Sequence, residues 1–160
     1  MSINVHENVI KAVRYYISKG LTLEGACGLA ANQFRESFYK GIGFVSTRLE
    51  RLCVQRYREN RGITYTDKTY TEQVDNGKIS RSEFLSPMGK HYGYGLSQWT
   101  TSARKAGLYD LCKKTKVSIG DMDTQIIYTI EELKEKFPTI YKYLCTVKDV
   151  TQASNYVLQH

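Results

Sequence analysis

The chain has 160 residues, of which 41% are hydrophobic and 24% are charged, and its formal net charge is +7. These values fit one globular domain with a hydrophobic core, and they exclude a disordered or collagen-like chain. No apolar run approaches the length of a membrane span, and the first eleven residues contain none that fits a signal peptide.

The positive charge predicts an anionic partner or anionic surroundings. Nucleic acid is one possible partner, and a bacterial wall that carries acidic polymers is another. The basic residues are spread along the chain with acidic residues among them, and no nucleic-acid-binding motif is recognisable. We therefore expect no nucleic-acid partner. The cysteines form no C-x-x-C pair, so we expect free thiols and no metal site.

The first part of the chain predicts two helices. Apolar residues recur at helical spacing over residues 5–17, from Val5 onward, and Gly20 ends this first run. Thr22 is a predicted N-cap for the second helix. Small residues between 25 and 31 predict that this helix packs closely on its neighbours. It ends near Glu36, where burial and the helix dipole would both raise the pKa of a carboxyl group.

The middle of the chain predicts a small irregular lobe over residues 41–86. Residues 48–57 fit a short amphipathic helix, and residues 63–66 have strand character. Residues 69–74 fit either a strand before a turn or a helix. Residues 80–83 fit a capping box, which predicts another short helix.

Helices are predicted again after residue 100. Their predicted caps or first residues are Thr101 or Ser102, Asp121 or Asp123, Pro138, and Asp149. The elements together predict an α+β, predominantly helical fold with a small irregular or hairpin lobe. The last helix reaches His160 without a stop signal, so we expect residues 1–160 to be one domain of a longer multidomain protein.

Glu36 is the strongest candidate for a catalytic group. Phe34 and Phe38 flank it, and Ser37 supplies a hydroxyl beside it. Asn32 lies one helical turn earlier, from where it would orient the carboxyl group or contact substrate. A carboxylic acid kept protonated near neutral pH is the group that a glycosidase needs to protonate its leaving oxygen.

A glycine- and aromatic-rich loop over residues 92–99 is the second informative segment. Tyr94 and Trp99 offer ring faces for sugars, and Gln98 offers both a donor and an acceptor for an N-acetyl group or hydroxyls. We therefore expect all three side chains to bind substrate.

A second carboxylate is less clearly defined. Asp67, Glu72 and Asp75 all lie in the irregular lobe, and Asp67 is taken as the candidate. A mechanism with two carboxylates needs the second roughly 5 to 9 Å from the first. Alternatively, Glu36 acts alone and the acetamido group or a hydroxyl of the substrate is the internal nucleophile.

Several segments together resemble the phage tail lysozyme family, a branch of the lysozyme-like superfamily. The matching segments are 20–28, Asn32, Glu36-Ser37, 65–67, 70–71, 74–75, 93–100, 102–105, 108–109, 118–121 and Gln125. The resemblance covers nearly the whole chain. Two residues depart from the family pattern: Arg35 stands where a small residue is usual, and Phe38 stands where glycine is usual.

The resemblance implies a lysozyme-like α+β fold, Glu36 as the catalytic acid and peptidoglycan glycan strands as the substrate, without metal or cofactor. It implies a muramidase of a phage tail, an endolysin or another wall hydrolase, which cleaves between N-acetylmuramic acid and N-acetylglucosamine. Such a protein is made in the cytoplasm and reaches the wall in a virion, on lysis or by export. Glu-Ser with a later Gly-x-x-Gln is also similar to lytic transglycosylases. A non-catalytic glycan-binding module is a further alternative.

Overall fold

The computed structural model describes the backbone of residues 2–160 and the side chains of residues 7–160. The described part of the chain contains nine α-helices and one short 3-10 turn. The helices are α1 Ser2–Ser18, α2 Leu23–Glu36, α3 Arg51–Arg61, α4 Asp67–Asp75, α5 Arg81–Leu85, α6 Ser102–Thr115, α7 Met122–Lys136, α8 Pro138–Leu144 and α9 Val150–Gln159. The predicted apolar position Val5 lies outside the described side chains.

The chain divides into two compact units. The first unit is Met1–Val45 with Ile126–His160, and the second is Ser46–Gln125. The first contains α1, α2, α8, α9 and most of α7, while the second contains α3 to α6.

In the first unit α2 packs against α1, α8 and α9. A Cβ atom added at Gly25 would lie 2.1 Å from the Leu144 carbonyl oxygen, and one added at Gly28 would lie 2.5 Å from the Ala153 Cβ. Neither distance is possible for a real side chain. The small residues of α2 therefore allow α8 and α9 to approach it, and the prediction of close packing is confirmed.

The second unit has an aromatic core. Tyr70 lies 6.2 Å from Tyr57, 6.4 Å from Phe84 and 6.1 Å from Tyr94 between ring centroids. All four rings are buried. Many of the chain's thirteen tyrosines are thus used for packing, with their rings in contact at the tilted and edge-on angles that aromatic pairs favour.

The described residues contain isolated β-bridges but no β-strand, so the hairpin lobe is not confirmed. The strand predicted at residues 63–66 is wrong: in the described chain these residues belong to no β-strand and to no β-bridge. Residues 69–74 adopt the helical alternative, inside α4. The reason is a capping box, in which Thr66 and Thr69 each bind the backbone N–H of the other and start the helix at Asp67.

Most predicted helix boundaries are confirmed. Gly20 follows α1 with a φ of +108°, a conformation that glycine adopts readily. The side chains of five polar residues accept hydrogen bonds from the first turns of their helices: Thr22 before α2, Ser80 before α5, Thr101 before α6, Asp121 before α7 and Asp149 before α9. The four cysteines are free thiols, of which Cys53 and Cys112 are buried. In the described chain, every helix is too short or too polar to span a membrane.

Candidate active site

Glu36 is the last residue of α2, as the sequence predicts. Its side chain is exposed, however, whereas the sequence analysis expects a buried carboxyl group. The small residues that bury α2 lie earlier in the helix, where α8 and α9 cover it. Glu36 is therefore presented to solvent at the end of a buried helix.

Ser37 fixes the chain immediately after Glu36. Its side chain is fully buried, and its hydroxyl donates to the Gln33 carbonyl oxygen at 2.8 Å. The same hydroxyl accepts a hydrogen bond from the Val45 N–H at 2.9 Å. Ser37 thus joins the last turn of α2 to a segment eight residues further along. Ser37 therefore holds the backbone next to Glu36 in place.

A tight turn follows Ser37. Tyr39 and Ile42 exchange two backbone hydrogen bonds, of 2.8 and 3.1 Å, across Lys40 and Gly41. Lys40 has a φ of +50° and Gly41 a φ of +84°. Two successive positive φ values are typical of a type I′ turn, which glycine at the second position stabilises. The turn brings the chain back toward Ser37.

Two phenylalanines form what we call the aromatic ledge, defined by Phe34 and Phe38. Their ring centroids are 5.8 Å apart with an interplanar angle of 42°. A Cβ atom added at Gly43 would lie 2.6 Å from the Phe34 ring, so the backbone after the turn lies directly against that ring. Phe38 is 49% exposed. The ledge therefore presents an aromatic face two residues from Glu36.

Asn32 is buried and bound to α9. Its amide nitrogen donates to the Ser154 carbonyl oxygen at 2.7 Å and to the Ser154 hydroxyl at 3.0 Å. Arg35 donates to the same hydroxyl at 3.0 Å. These contacts tie α2 to α9. The Asn32 side chain was expected to orient Glu36 or contact substrate, but its amide nitrogen is hydrogen-bonded to Ser154.

Tyr94 and Trp99 are both fully buried in the second unit. They exchange backbone hydrogen bonds of 3.1 and 3.0 Å across the turn that Gly95 makes with a φ of +85°. The Tyr94 hydroxyl lies 2.6 Å from the Thr71 hydroxyl, and burial raises the pKa of Tyr94 well above its ordinary value. The ring faces that the sequence analysis offers to a sugar are in contact with protein.

Gln98 is partly exposed, but its amide nitrogen is used inside the loop. It donates to the Arg48 carbonyl oxygen at 2.9 Å and to the Gly95 carbonyl oxygen at 2.9 Å. Gln98 also has a φ of +48°, which is uncommon for a residue other than glycine. Its side chain therefore stabilises the strained turn in which it lies.

Gln125 is a buried residue whose side chain also binds the loop over residues 92–99. Its carbonyl oxygen accepts from the Leu96 N–H at 2.9 Å, and its amide nitrogen donates to the carbonyl oxygens of Ser46 and Ile119 at 2.7 and 2.8 Å. In the sequence, Gln125 stands out only as part of the family resemblance. Nothing in local spacing indicates that it joins three separate segments.

Asp67 lies at the first turn of α4 and is paired with two arginines. Its carboxylate is 2.9 Å from the Arg48 guanidinium, is also bound by Arg51, and accepts from the Leu49 N–H at 3.1 Å. Arg48 is itself buried. The cluster fastens the segment before α3 to α4. Sequence spacing does not reveal it, because its members are separated along the chain.

The other two candidate carboxylates differ in environment. Asp75 accepts hydrogen bonds from the Ser118 hydroxyl and the Ile119 N–H, while Glu72 is exposed. Glu36 belongs to the first unit, whereas Asp67, Glu72 and Asp75 belong to the second. Among the side chains that are described, no group of three or more His, Cys, Asp or Glu residues is arranged to hold a metal ion.

The described part of the chain is predominantly helical, with an exposed glutamate at the end of a buried helix and a glycine- and aromatic-rich loop. A comparison with protein families identifies the class to which such a chain belongs. The family model described as Phage tail lysozyme matches residues 7–160, nearly the whole chain. The chain belongs to the phage tail lysozyme family, which confirms the resemblance. No match was found among curated proteins or among solved structures.

Proposed function

We propose that this domain is a peptidoglycan muramidase in which Glu36 is the general acid. The observation that carries the proposal is the position of Glu36: exposed, at the end of α2, and followed by a buried serine that fixes the backbone. Membership of the phage tail lysozyme family supports bacterial wall glycan as the substrate. The bond cleaved would join N-acetylmuramic acid to N-acetylglucosamine.

In this mechanism the protonated Glu36 donates its proton to the glycosidic oxygen as the bond to the anomeric carbon breaks. General acid catalysis of this kind contributes roughly 10²- to 10⁴-fold to a rate. The oxocarbenium-like centre is then attacked either by water or by a hydroxyl group of the substrate itself, and the Glu36 carboxylate takes up the proton that the attacking group loses. Attack by water gives a reducing end, and internal attack by a muramic acid hydroxyl gives an anhydro sugar.

Asp67 stays a prediction as the second carboxylate, and no step is assigned to it here. Two guanidinium groups already oppose its charge, which leaves little net negative charge to stabilise a cationic sugar. We propose instead that Asp67 positions the segment that leads into α3. Glu36 with a nucleophile supplied by water or substrate is sufficient for the proposed reaction.

Substrate contacts by Asn32, Ser37, Tyr94, Gln98 and Trp99 also stay predictions. Their observed hydrogen bonds and burial support a positioning role, because each stabilises the end of α2 or the loop over residues 92–99. The net charge of +7 would attract the domain to an anionic wall, and this attraction should weaken with salt.

The test is digestion of purified peptidoglycan by the wild-type protein and by Glu36→Gln, with products read by mass spectrometry. Glu24→Gln is the matched control, because Glu24 lies in the first turn of the same helix. We expect soluble muropeptides with reducing muramic acid ends from wild type and Glu24→Gln, and none from Glu36→Gln. Products lighter by one water would identify a lytic transglycosylase. Binding to the wall without release by any of the three proteins would identify a non-catalytic module.

A further inference from the structure

We propose that Phe38 stacks on a sugar ring of the glycan strand and thereby determines affinity at the Glu36 site. The inference rests on the proposed function, since it takes peptidoglycan as the substrate. It goes further in assigning a substrate contact to Phe38, a neighbour of Glu36 in the sequence to which the proposed function gives no role.

The exposure of Phe38 is the first observation. Half of this large apolar side chain remains in water, although Phe34 and the buried Ser37 lie close to it in the chain. Exposed apolar surface beside a functional residue is more informative than an isolated exposed aliphatic residue. Phe38 is also held in place, because Phe34 contacts it on one side and Ser37 fixes the preceding peptide.

The position of Phe38 relative to Glu36 is the second observation. Two trans peptide units separate the residues, so their Cα atoms lie at most about 7.6 Å apart. Both side chains are exposed and both belong to the first unit. A glycan bound at Glu36 can therefore reach Phe38 with a neighbouring sugar ring.

The chemistry of the ledge fits a β-linked pyranose. The ring substituents of such a sugar are equatorial, so its faces carry axial C–H groups that pack on an aromatic ring. Lys40, two residues after Phe38, adds charge complementarity, and its ammonium group lies 5.2 Å from the centre of the Tyr39 ring. The peptide stems attached to muramic acid carry carboxylates that match this charge. A glycan strand of the wall supplies both features together.

The experiment separates binding from catalysis. Binding to insoluble peptidoglycan is measured by sedimentation in a Glu36→Gln background, and kcat and KM are measured in the wild-type background. The variants are Phe38→Ala, Phe38→Leu and Phe38→Tyr. Leu23→Ala is the matched control, because Leu23 is an exposed apolar residue at the opposite end of α2. Thermal unfolding of each variant shows whether it is folded.

We expect Phe38→Ala and Phe38→Leu to raise both Kd and KM by about tenfold, an effect of the size that one aromatic stacking contact has. The kcat value should stay within about twofold of wild type. Phe38→Tyr keeps the flat ring and should bind as wild type does, and Leu23→Ala should change neither constant. If Phe38→Ala unfolds, the comparison of Phe38→Leu with Phe38→Tyr still tests the flat face.

Two results would overturn the inference. Unchanged Kd and KM in folded Phe38→Ala would show that Phe38 makes no stacking contact with the glycan. The proposed function would still stand in that case if Glu36→Gln were inactive. Full binding by Phe38→Leu would show that the side chain only fills space against Phe34. If Phe38→Ala weakens binding but Glu36→Gln retains activity, the stacking contact is supported and the catalytic assignment of Glu36 is the one that fails.

Discussion

The Ser37 hydroxyl accepts a hydrogen bond from the Val45 N–H at 2.9 Å, so the residue directly after the candidate acid holds the far end of the segment over residues 38–45. The contact is buried on the Ser37 side. Because the same hydroxyl donates to the Gln33 carbonyl oxygen, the end of α2 and the following turn are fixed by one side chain. The backbone that carries Glu36 is thus held from both directions.

Replacing Ser37 by Ala should lower both stability and turnover. The Val45 N–H loses its partner, and we expect the free energy of unfolding to fall by about 1–3 kcal/mol. The kcat value should fall by about tenfold, measured well below the unfolding temperature, while KM changes little. Ser18→Ala is the control, since that exposed hydroxyl bonds only within the last turn of α1. An unchanged kcat in folded Ser37→Ala would contradict a positioning role.

Replacing Gly28 by Ala should destabilise the first unit. The added Cβ atom would lie 2.5 Å from the Ala153 Cβ and 2.8 Å from the Ser154 backbone nitrogen, so α2 and α9 must separate. Overpacking of this kind typically costs about 1–3 kcal/mol. Denaturant unfolding measures the loss. In the double variant, Ala153→Gly should restore only part of it because the Ser154 backbone remains close, and full restoration would show that the side chain alone caused the clash.

Lys105 should make stability depend on pH. Its side chain is fully buried, its ammonium group donates to the Phe84 carbonyl oxygen at 3.0 Å, and burial lowers its pKa to about 8. The charges of Cys53 and Glu50 act in the opposite direction. The unfolded chain, with an ordinary lysine pKa near 10.4, binds more protons than the folded chain between about pH 8 and 10.4. The contribution of Lys105 to stability should therefore rise with pH across that window, by about 3 kcal/mol.

The measurement compares wild type with Lys105→Met by urea unfolding from pH 7 to 10 under reducing conditions. Burial raises the pKa of the Cys53 and Cys112 thiols to about 12, so these groups lower stability above about pH 8.5 in both proteins. Taking the difference removes the effect of Cys112 and, apart from its interaction with Lys105, that of Cys53. Below pH 8, the free energy of unfolding of Lys105→Met should be higher than that of wild type. This difference should disappear toward pH 10. If the difference in unfolding free energy is constant with pH, Lys105 keeps its charge as well in the folded chain as in the unfolded chain.

Replacing Asp67 by Asn tests the two roles considered for this residue. The buried Arg48 would lose its 2.9 Å partner, so we expect the free energy of unfolding to fall by about 2–4 kcal/mol. If Asp67 only positions the chain, activity per folded molecule should stay within about threefold of wild type. A loss of 100-fold or more in a folded protein would instead favour the second carboxylate. Glu72→Gln serves as the control on the same helix.

The helices were largely predictable because their signals are local. Thr22, Asp121 and Asp149 cap the helices that follow them, and the small residues of α2 predicted its burial. The prediction of a strand at residues 63–66 also failed for a local reason, because the Thr66–Thr69 capping box starts a helix directly after this segment. β-Branched and aromatic residues alone do not make a strand when no partner strand is available.

The candidate site was predictable in its residues but not in their environments. Glu36 and the loop over residues 92–99 were found from motif and composition, whereas the exposure of Glu36 and the burial of Tyr94 and Trp99 were not. Burial depends on which distant segments cover a side chain. The contacts of Gln125 with Leu96 and Ser46 and the Arg48–Asp67 pair join residues 19 to 79 positions apart, and sequence spacing carries no signal for them.

Arg48 has two separable tasks. Its carbonyl oxygen receives the Gly95 N–H and the Gln98 amide, while its guanidinium group binds Asp67. A carbonyl oxygen is present whatever the residue type, so the loop depends on the path of the backbone at position 48 and α4 depends on the side chain. A substitution at this position can therefore change how α4 is attached and leave the hydrogen bonds of the loop in place. A loop transplanted into another scaffold, by contrast, would need this piece of backbone to come with it.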